Sequence, residues 1–304
     1  MATGQKEYAV GDAVSAALRW DLPQAGDMLA AGARVRRIGS RKGAIMSHSA
    51  ATAATIDVGA GETLAYVRQP GTTPGVVFLT GYKSDMTGQK ALRLEALCRA
   101  RGQAFIRFDY YGHGQSAGEF VDGTIGRWRD DAVCILDQLT TGPQVLVGSS
   151  LGGWIMLLTA LMRPERVAGL VGVAAAPDFT EDLIAPQLSP GERAVLDAGG
   201  IVNLSSVYDP SPTPLNKRFL DNGREHLLLR DEIALDCPVR LIHGMQDADV
   251  PWRTSLRLAE RLRTTDVEVT LVKDGEHRLS REDDLENLCA VLEELLQRLE
   301  RKER

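Results

Sequence analysis

The chain has 304 residues, 44% of them hydrophobic, and 35 Lys and Arg against 41 Asp and Glu give a formal net charge of −6. Such a balance describes an ordinary soluble globular protein with room for a large core, and its mild acidity disfavours a diffuse role on nucleic acid or anionic lipid. No run approaches the roughly 18 consecutive apolar residues of a membrane span, and Cys98, Cys134, Cys237 and Cys289 stand far apart without C-x-x-C or Cys/His clustering, so reduced thiols are expected and neither a disulfide framework nor a metal site.

Residues 1–53 are rich in alanine and in Arg34, Arg36, Arg37, Arg41 and Lys42, with no plan of strands or helices. A poorly ordered N-terminal extension is expected there, with Met46 an equally good starting point. The segment lacks the apolar stretch of a secretory signal, and Glu7, Asp12, Asp21 and Asp27 count against the acid-poor composition of a mitochondrial transit peptide. A cytoplasmic location is the resulting expectation.

From Ala54 the chain settles into a rhythm. Ala54 to Val58 and Thr63 to Val67 read as a hairpin around Gly59 and Gly61. Gly75 to Thr80 is a buried strand, followed by a helix that places Leu94, Leu97 and Cys98 on one face and stops at Gly102. Ala104 to Phe108 is the next strand. Trp128, Ala132, Ile135, Leu136 and Leu139 recur at helical spacing before the strand Gln144 to Val147.

Gly148-Ser149-Ser150-Leu151-Gly152 follows that strand and precedes the helix-like Gly153 to Leu158. A G-x-S-x-G pentad between strand and helix reads as a nucleophile elbow, with glycines where any Cβ would clash. Val167 to Ala175, Val239 to His243 and Val267 to Val272 supply further strands. Ser280, with Asp283 three residues on, opens a last helix carrying Leu285, Leu288, Leu292, Leu295, Leu296 and Leu299. Strands alternating with helices predict an α/β fold with a mostly parallel sheet covered on both faces. Residues 179–236 break the rhythm with Pro186, Pro190, Pro210, Pro212 and Pro214, and are expected to form a cap inserted into a core of 54–178 and 237–304.

A serine hydroxyl needs a base within hydrogen-bond reach, itself oriented by a third group. Of the five histidines, His48 precedes the folded region, His226 lies in the insertion, and His113 and His243 read as ordinary loop and strand-end residues. His277 stands between the last strand and the last helix, where its ring can reach Ser150. In His243-Gly244-Met245-Gln246-Asp247-Ala248-Asp249 the spacing after the strand favours Asp247 as the orienting acid, with Asp249 bracing the turn. The backbone N–H of Leu151 and of Tyr82 are the expected oxyanion donors.

With these residues in place the chain resembles the α/β-hydrolase superfamily over residues 55 to about 300. The stretches Thr80 to Ala91, Ile106 to Ser116, Gly148 to Trp154 and Asp274 to Arg278 are similar to those of mitochondrial abhydrolase-domain acyl-protein thioesterases that also cleave acyl glucuronides. The resemblance implies the α/β-hydrolase fold and a Ser150, Asp247, His277 triad. It also implies hydrolysis of palmitoyl-type thioesters or activated carboxylic esters, acylated proteins among the substrates, and no cofactor. A mitochondrial matrix location is the alternative it raises. Two other readings stay open: an amide or peptide hydrolase on the same residues, and a non-catalytic ligand-binding homologue. Lys217, Arg218 and Arg224 are read as a solvated face, with an anionic leaving group as the alternative they could meet. Phe179, Leu183, Ile184, Leu188, Leu196, Ile201, Leu204 and Phe219 could line an apolar pocket or simply pack the insertion.

Overall fold

The computed structural model describes residues 52–59, 61–204 and 212–302. The expectations for residues 1–51 therefore lie outside the described residues. The hairpin forms as β1 (Ala54–Gly59) and β2 (Glu62–Gln69), and is followed by β3 (Thr72–Leu79), α1 (Gln89–Arg101), β4 (Gln103–Phe108), α2 (Ile125–Leu139), β5 (Gln144–Ser149), α3 (Leu151–Met162) and β6 (Val167–Val173). After residues 174–238 come β9 (Val239–Gly244), α6 (Arg253–Arg261), β10 (Val267–Val272) and α7 (Glu282–Lys302). Within that interval lie a π turn at Thr180–Ile184, α4 (Pro190–Asp197), the strand pair β7 (Ile201–Leu204) and β8 (Thr213–Asn216), and α5 (Lys217–Arg224).

The sheet runs β1-β2-β4-β3-β5-β6-β9-β10. β1, β2 and β4 pair antiparallel, and every pairing from β4 to β10 is parallel. Strand order reverses between β3 and β5, because the chain passes from β3 outward to β4 and then returns to the other side. In an open parallel sheet the crevice beyond such a reversal is where ligands bind. The register sets Leu79 of β3 beside Gly148 of β5. The loops leaving these two strands therefore emerge as neighbours.

Alternation along the buried strands feeds two cores. Val77, Leu79 and Leu146 pack with Trp128, Ile135, Trp154 and Ile155 of α2 and α3 on one face. Val76, Phe78, Val145 and Val147 pack with Leu94 and Cys98 of α1 and Leu288, Leu292 and Leu296 of α7 on the other. Because both faces are covered, these strands read as continuous apolar runs. Gly102 closes α1 in the left-handed conformation at φ 68°, and Thr124 caps α2 by accepting the Arg127 N–H at 3.2 Å.

Two local expectations change. The last helix begins at Glu282, where Asp284 accepts the Arg281 N–H at 3.1 Å, while the Ser280 hydroxyl turns back to the Arg278 carbonyl. A carboxylate at the third helical position thus does the capping without a serine partner. Ile201 is 52% exposed and faces solvent, whereas Phe179, Leu188, Leu196 and Phe219 are buried.

Asp178 joins the two ends of the irregular segment. It lies fully buried with a left-handed φ of 61°, and its carboxylate accepts the N–H groups of Leu228 and Leu229, both at 2.8 Å, and the Arg230 guanidinium at 3.2 Å. Arg230 and Arg257 also reach Asp182.

Candidate active site

Ser150 takes φ 54° and ψ −117°, a region that costs a non-glycine residue about 1–3 kcal/mol. Surrounding contacts hold it there: its N–H donates to Val173 O at 2.9 Å, and its carbonyl accepts from Gly153 at 2.9 Å and Ala176 at 3.1 Å. Close approach explains the glycines. A Cβ on Gly152 would stand 2.1 Å from the Leu79 carbonyl oxygen, and one on Gly153 would stand 2.5 Å from the Ala175 Cβ. The turn thus lifts the Ser150 hydroxyl above the carboxyl end of β5.

His277 arrives on the loop after β10, and Asp247 on the turn after β9. His277 Nε2 lies 3.0 Å from Ser150 Oγ, and its Nδ1 lies 2.7 Å from Asp247 Oδ2. A carboxylate can only accept, so Nδ1 carries the hydrogen and Nε2 is left to accept from the serine. Three residues from three separate loops therefore form one hydrogen-bonded chain.

The Asp247 side chain is fully buried, and burial alone would raise its pKa. Hydrogen bonds from His243 and His277, with the Val250 amide, outweigh that cost and hold it below the usual carboxylate range. Oδ1 accepts the amides of Asp249 at 2.9 Å and Val250 at 2.8 Å. Asp249 itself is exposed and contributes to this turn through its backbone.

His243, read from sequence as an ordinary strand-end residue, is 0% exposed and touches Asp247 directly. Its Nε2 lies 3.1 Å from Asp247 Oδ2 and 3.0 Å from Val250 O, and its Nδ1 lies 2.7 Å from Ser255 Oγ. The only sequence signal was its place four residues before Asp247.

Leu151 opens α3, where a helix leaves its first amides without intrahelical acceptors and concentrates positive potential. On the loop after β3, Gly81 O accepts the Ser84 N–H at 3.1 Å, which makes Tyr82 the first corner of a turn and leaves its N–H outside that hydrogen bond. Lys83 occupies the second corner at φ 56°, and its Nζ reaches Pro212 O at 3.3 Å. A Cβ on Gly81 would sit 3.5 Å from Ser150 Cβ, so this turn abuts the serine. The Tyr82 ring stacks on Phe219 at 5.4 Å and packs against Phe120, Phe179 and Trp128. Burial raises its phenol pKa.

The remaining histidines are engaged elsewhere or fall outside the described residues, as His48 does. Burial lowers His113 to about 4, and its Nδ1 faces the Tyr111 carbonyl among aromatic rings. His226 offers its carbonyl to Trp154 Nε1 at 3.0 Å. Lys217, Arg218 and Arg224 bind Asp221, Asp122 and Glu181, and the first two line an open surface cleft of about 770 Å³ that mixes both signs of charge. Among the described residues no three His, Cys, Asp or Glu side chains gather as metal ligands would, and no helix is long and apolar enough to cross a membrane.

A strained serine at a strand-to-helix turn, with residues from later strands converging on it, is the architecture described for α/β hydrolases. The sequence pattern of the alpha/beta hydrolase family matches residues 76–301. The chain belongs to that family. Palmitoyl-protein thioesterase ABHD10, mitochondrial, from Mus musculus is 43% identical over 239 residues, covering 78% of this chain and 80% of that protein. The Homo sapiens protein of the same name is 42% identical over 237 residues, covering 78% of this chain and 77% of its own. Among solved structures, alpha/beta hydrolase domain-containing protein 10 from mouse superposes with a TM-score of 0.76 at 41% identity, covering 82% of this chain and all of that one.

Proposed function

We propose that this protein hydrolyses carboxylic esters or thioesters through an acyl-enzyme on Ser150. His277 Nε2 takes the Ser150 proton as Oγ attacks the acyl carbon, and the carbonyl π electrons move onto oxygen. The Leu151 and Tyr82 amides receive the oxyanion. Collapse expels the alcohol or thiol, which leaves with the proton from His277. Water then repeats the sequence: His277 takes its proton, hydroxide adds to the acyl carbon, and the Ser150 oxygen departs and is reprotonated. Asp247 holds the ring in the correct tautomer and stabilises the imidazolium formed in each half.

The observation that carries the proposal is the chain from Ser150 Oγ through His277 to Asp247, at 3.0 Å and 2.7 Å. A fluorophosphonate probe is expected to label the wild type and spare Ser150→Ala. Equal labelling of both would overturn the assignment.

The relatives' names favour a long-chain acyl thioester on a protein, and a mitochondrial rather than cytoplasmic location. Residues 179–236 are proposed to cap the site and shape its acyl pocket, because Phe179 and Phe219 meet the Tyr82 ring beside the oxyanion turn. Comparing p-nitrophenyl esters of increasing chain length with acyl-CoA and acyl-peptide thioesters ranks the substrates. An amide panel run alongside tests the peptidase alternative.

A further inference from the structure

We infer that His243 is a positioning residue for this reaction: backed by Ser255, it locks Asp247 in place and sets how that carboxylate holds His277. The inference rests on the proposed role of the Ser150, His277 and Asp247 chain.

His243 closes β9 after the apolar pair Leu241 and Ile242, at a position with no exposure. An aliphatic side chain would fill such a place without polar groups to satisfy, whereas a buried imidazole must find partners for both nitrogens. It does. Nε2 faces the Asp247 carboxylate and the Val250 carbonyl, both of which can only accept, so Nε2 carries the hydrogen. In the neutral ring Nδ1 is then an acceptor, and the buried Ser255 hydroxyl lies 2.7 Å away to donate to it. Ser255, on α6, thereby selects both the tautomer and the ring orientation.

The consequence lies at Asp247 Oδ2, which receives two imidazole donors, His277 at 2.7 Å and His243 at 3.1 Å. Oδ1 is pinned by the amides of Asp249 and Val250. With donors on both oxygens the carboxylate cannot rotate about its Cβ–Cγ bond without breaking several bonds together. Without His243, Oδ2 would have His277 as its sole donor in this set, and its charge would bear on that ring undivided. His243 also donates to Val250 O while Asp247 accepts the Val250 amide, so the two side chains hold Val250 at both its C=O and its N–H.

The test compares His243→Leu, His243→Gln and Ser255→Ala with wild type and Ser150→Ala. The readouts are steady-state p-nitrophenyl ester hydrolysis, the rate of fluorophosphonate labelling, and the far-downfield proton resonance of His277 Nδ1–H. His243→Leu is expected to lower kcat about 10–100-fold, short of the roughly 10⁴-fold loss when a triad aspartate is neutralised, with KM within about threefold. The His277 resonance should move. His243→Gln, whose amide can donate from near the Nε2 position, should recover most of the rate, and Ser255→Ala should fall between.

Wild-type kcat and an unmoved resonance in folded His243→Leu overturn the inference. So does a glutamine variant as slow as the leucine one. If His243→Leu does not fold, Ser255→Ala decides, and wild-type kcat with an unmoved resonance there overturns it equally. Labelling that survives Ser150→Ala sinks the hydrolase reading itself. Loss of labelling in Ser150→Ala alongside full activity in His243→Leu sinks the positioning role alone.

Discussion

A Cβ placed on Gly148 would stand 2.3 Å from the carbonyl oxygen of Gly152. Gly148 thus faces the first turn of α3, while Gly152 faces the Leu79 and Thr80 carbonyls at the end of β3, and none of these neighbours is a flexible side chain that could swing away. Gly148→Ala or Gly152→Ala must therefore push α3 off the end of the sheet. Each is expected to cost about 1–3 kcal/mol of stability as overpacking and to cut fluorophosphonate labelling by roughly 100-fold, because a displacement near 1 Å is enough for that loss. Gly191, whose Cβ would meet nothing within 4 Å, serves as the control. Gly191→Ala in α4 should be neutral or slightly stabilising, by up to about 1 kcal/mol. Thermal unfolding and labelling rates, measured together, separate the two outcomes.

Asp131 makes stability depend on pH. Burial raises its pKa from 3.8 to about 6, against the pull of the Tyr111 amide and Arg127. A carboxyl raised on folding is fully favourable below its unfolded pKa, where both states hold the proton. That advantage is lost as pH rises through the folded value, because the folded state must then ionise a buried group. Relative to Asp131→Asn, the wild type is expected to lose on the order of 1–3 kcal/mol between about pH 4 and pH 7. The slope is the readout, since asparagine cannot titrate and the pull of Arg127 on the ionised carboxylate is already contained in the folded pKa. A stability difference that stays flat across this window counts against the assignment.

Phe219 stacks on Tyr82, and the space beside the pair is small, about 10 Å³. Phe219→Ala should destabilise the protein by about 3–5 kcal/mol, the usual cost of removing a buried phenyl. The same truncation opens room next to the Tyr82 turn, the proposed oxyanion site. The ratio of kcat/KM for p-nitrophenyl octanoate over acetate should therefore rise at least severalfold, whatever the change in absolute rate. An unchanged ratio would place the acyl group elsewhere.

The sheet was legible from sequence because its strands are buried on both faces. Val145, Leu146 and Val147 supply opposite cores yet are all apolar, so their continuity marks a central parallel strand. Ser150, Asp247 and His277 could be placed at one edge because each follows the carboxyl end of a parallel strand, Ser150 directly after β5 and the other two on the turns after β9 and the edge strand β10. His243 was not, since its importance depends on a ring buried against Asp247 and Ser255, and sequence spacing shows only that it ends a strand. The strand pair β7 and β8 was missed as well. Each has only four residues, and Pro214 within β8 removes an N–H, which reads as a loop until its partner is seen. The start of α7 was misplaced by one residue because Ser280 and Asp283 have the composition of a capping pair, while Arg281 N–H and Asp284 make the capping bond.

Asp178 gathers the amides of Leu228 and Leu229 onto one buried carboxylate, so the irregular segment leaves the sheet and returns to it at nearly the same point. Closure at its base fixes where this segment starts and ends, while Phe219 on Tyr82 and the His226 carbonyl on Trp154 seat its middle on the framework. Change in the segment that spares these contacts leaves the spacing of the strands beneath unaltered. With the segment acting as the proposed cap, a change in substrate preference need not disturb the Ser150, His277 and Asp247 geometry as long as the Asp178 clasp is kept.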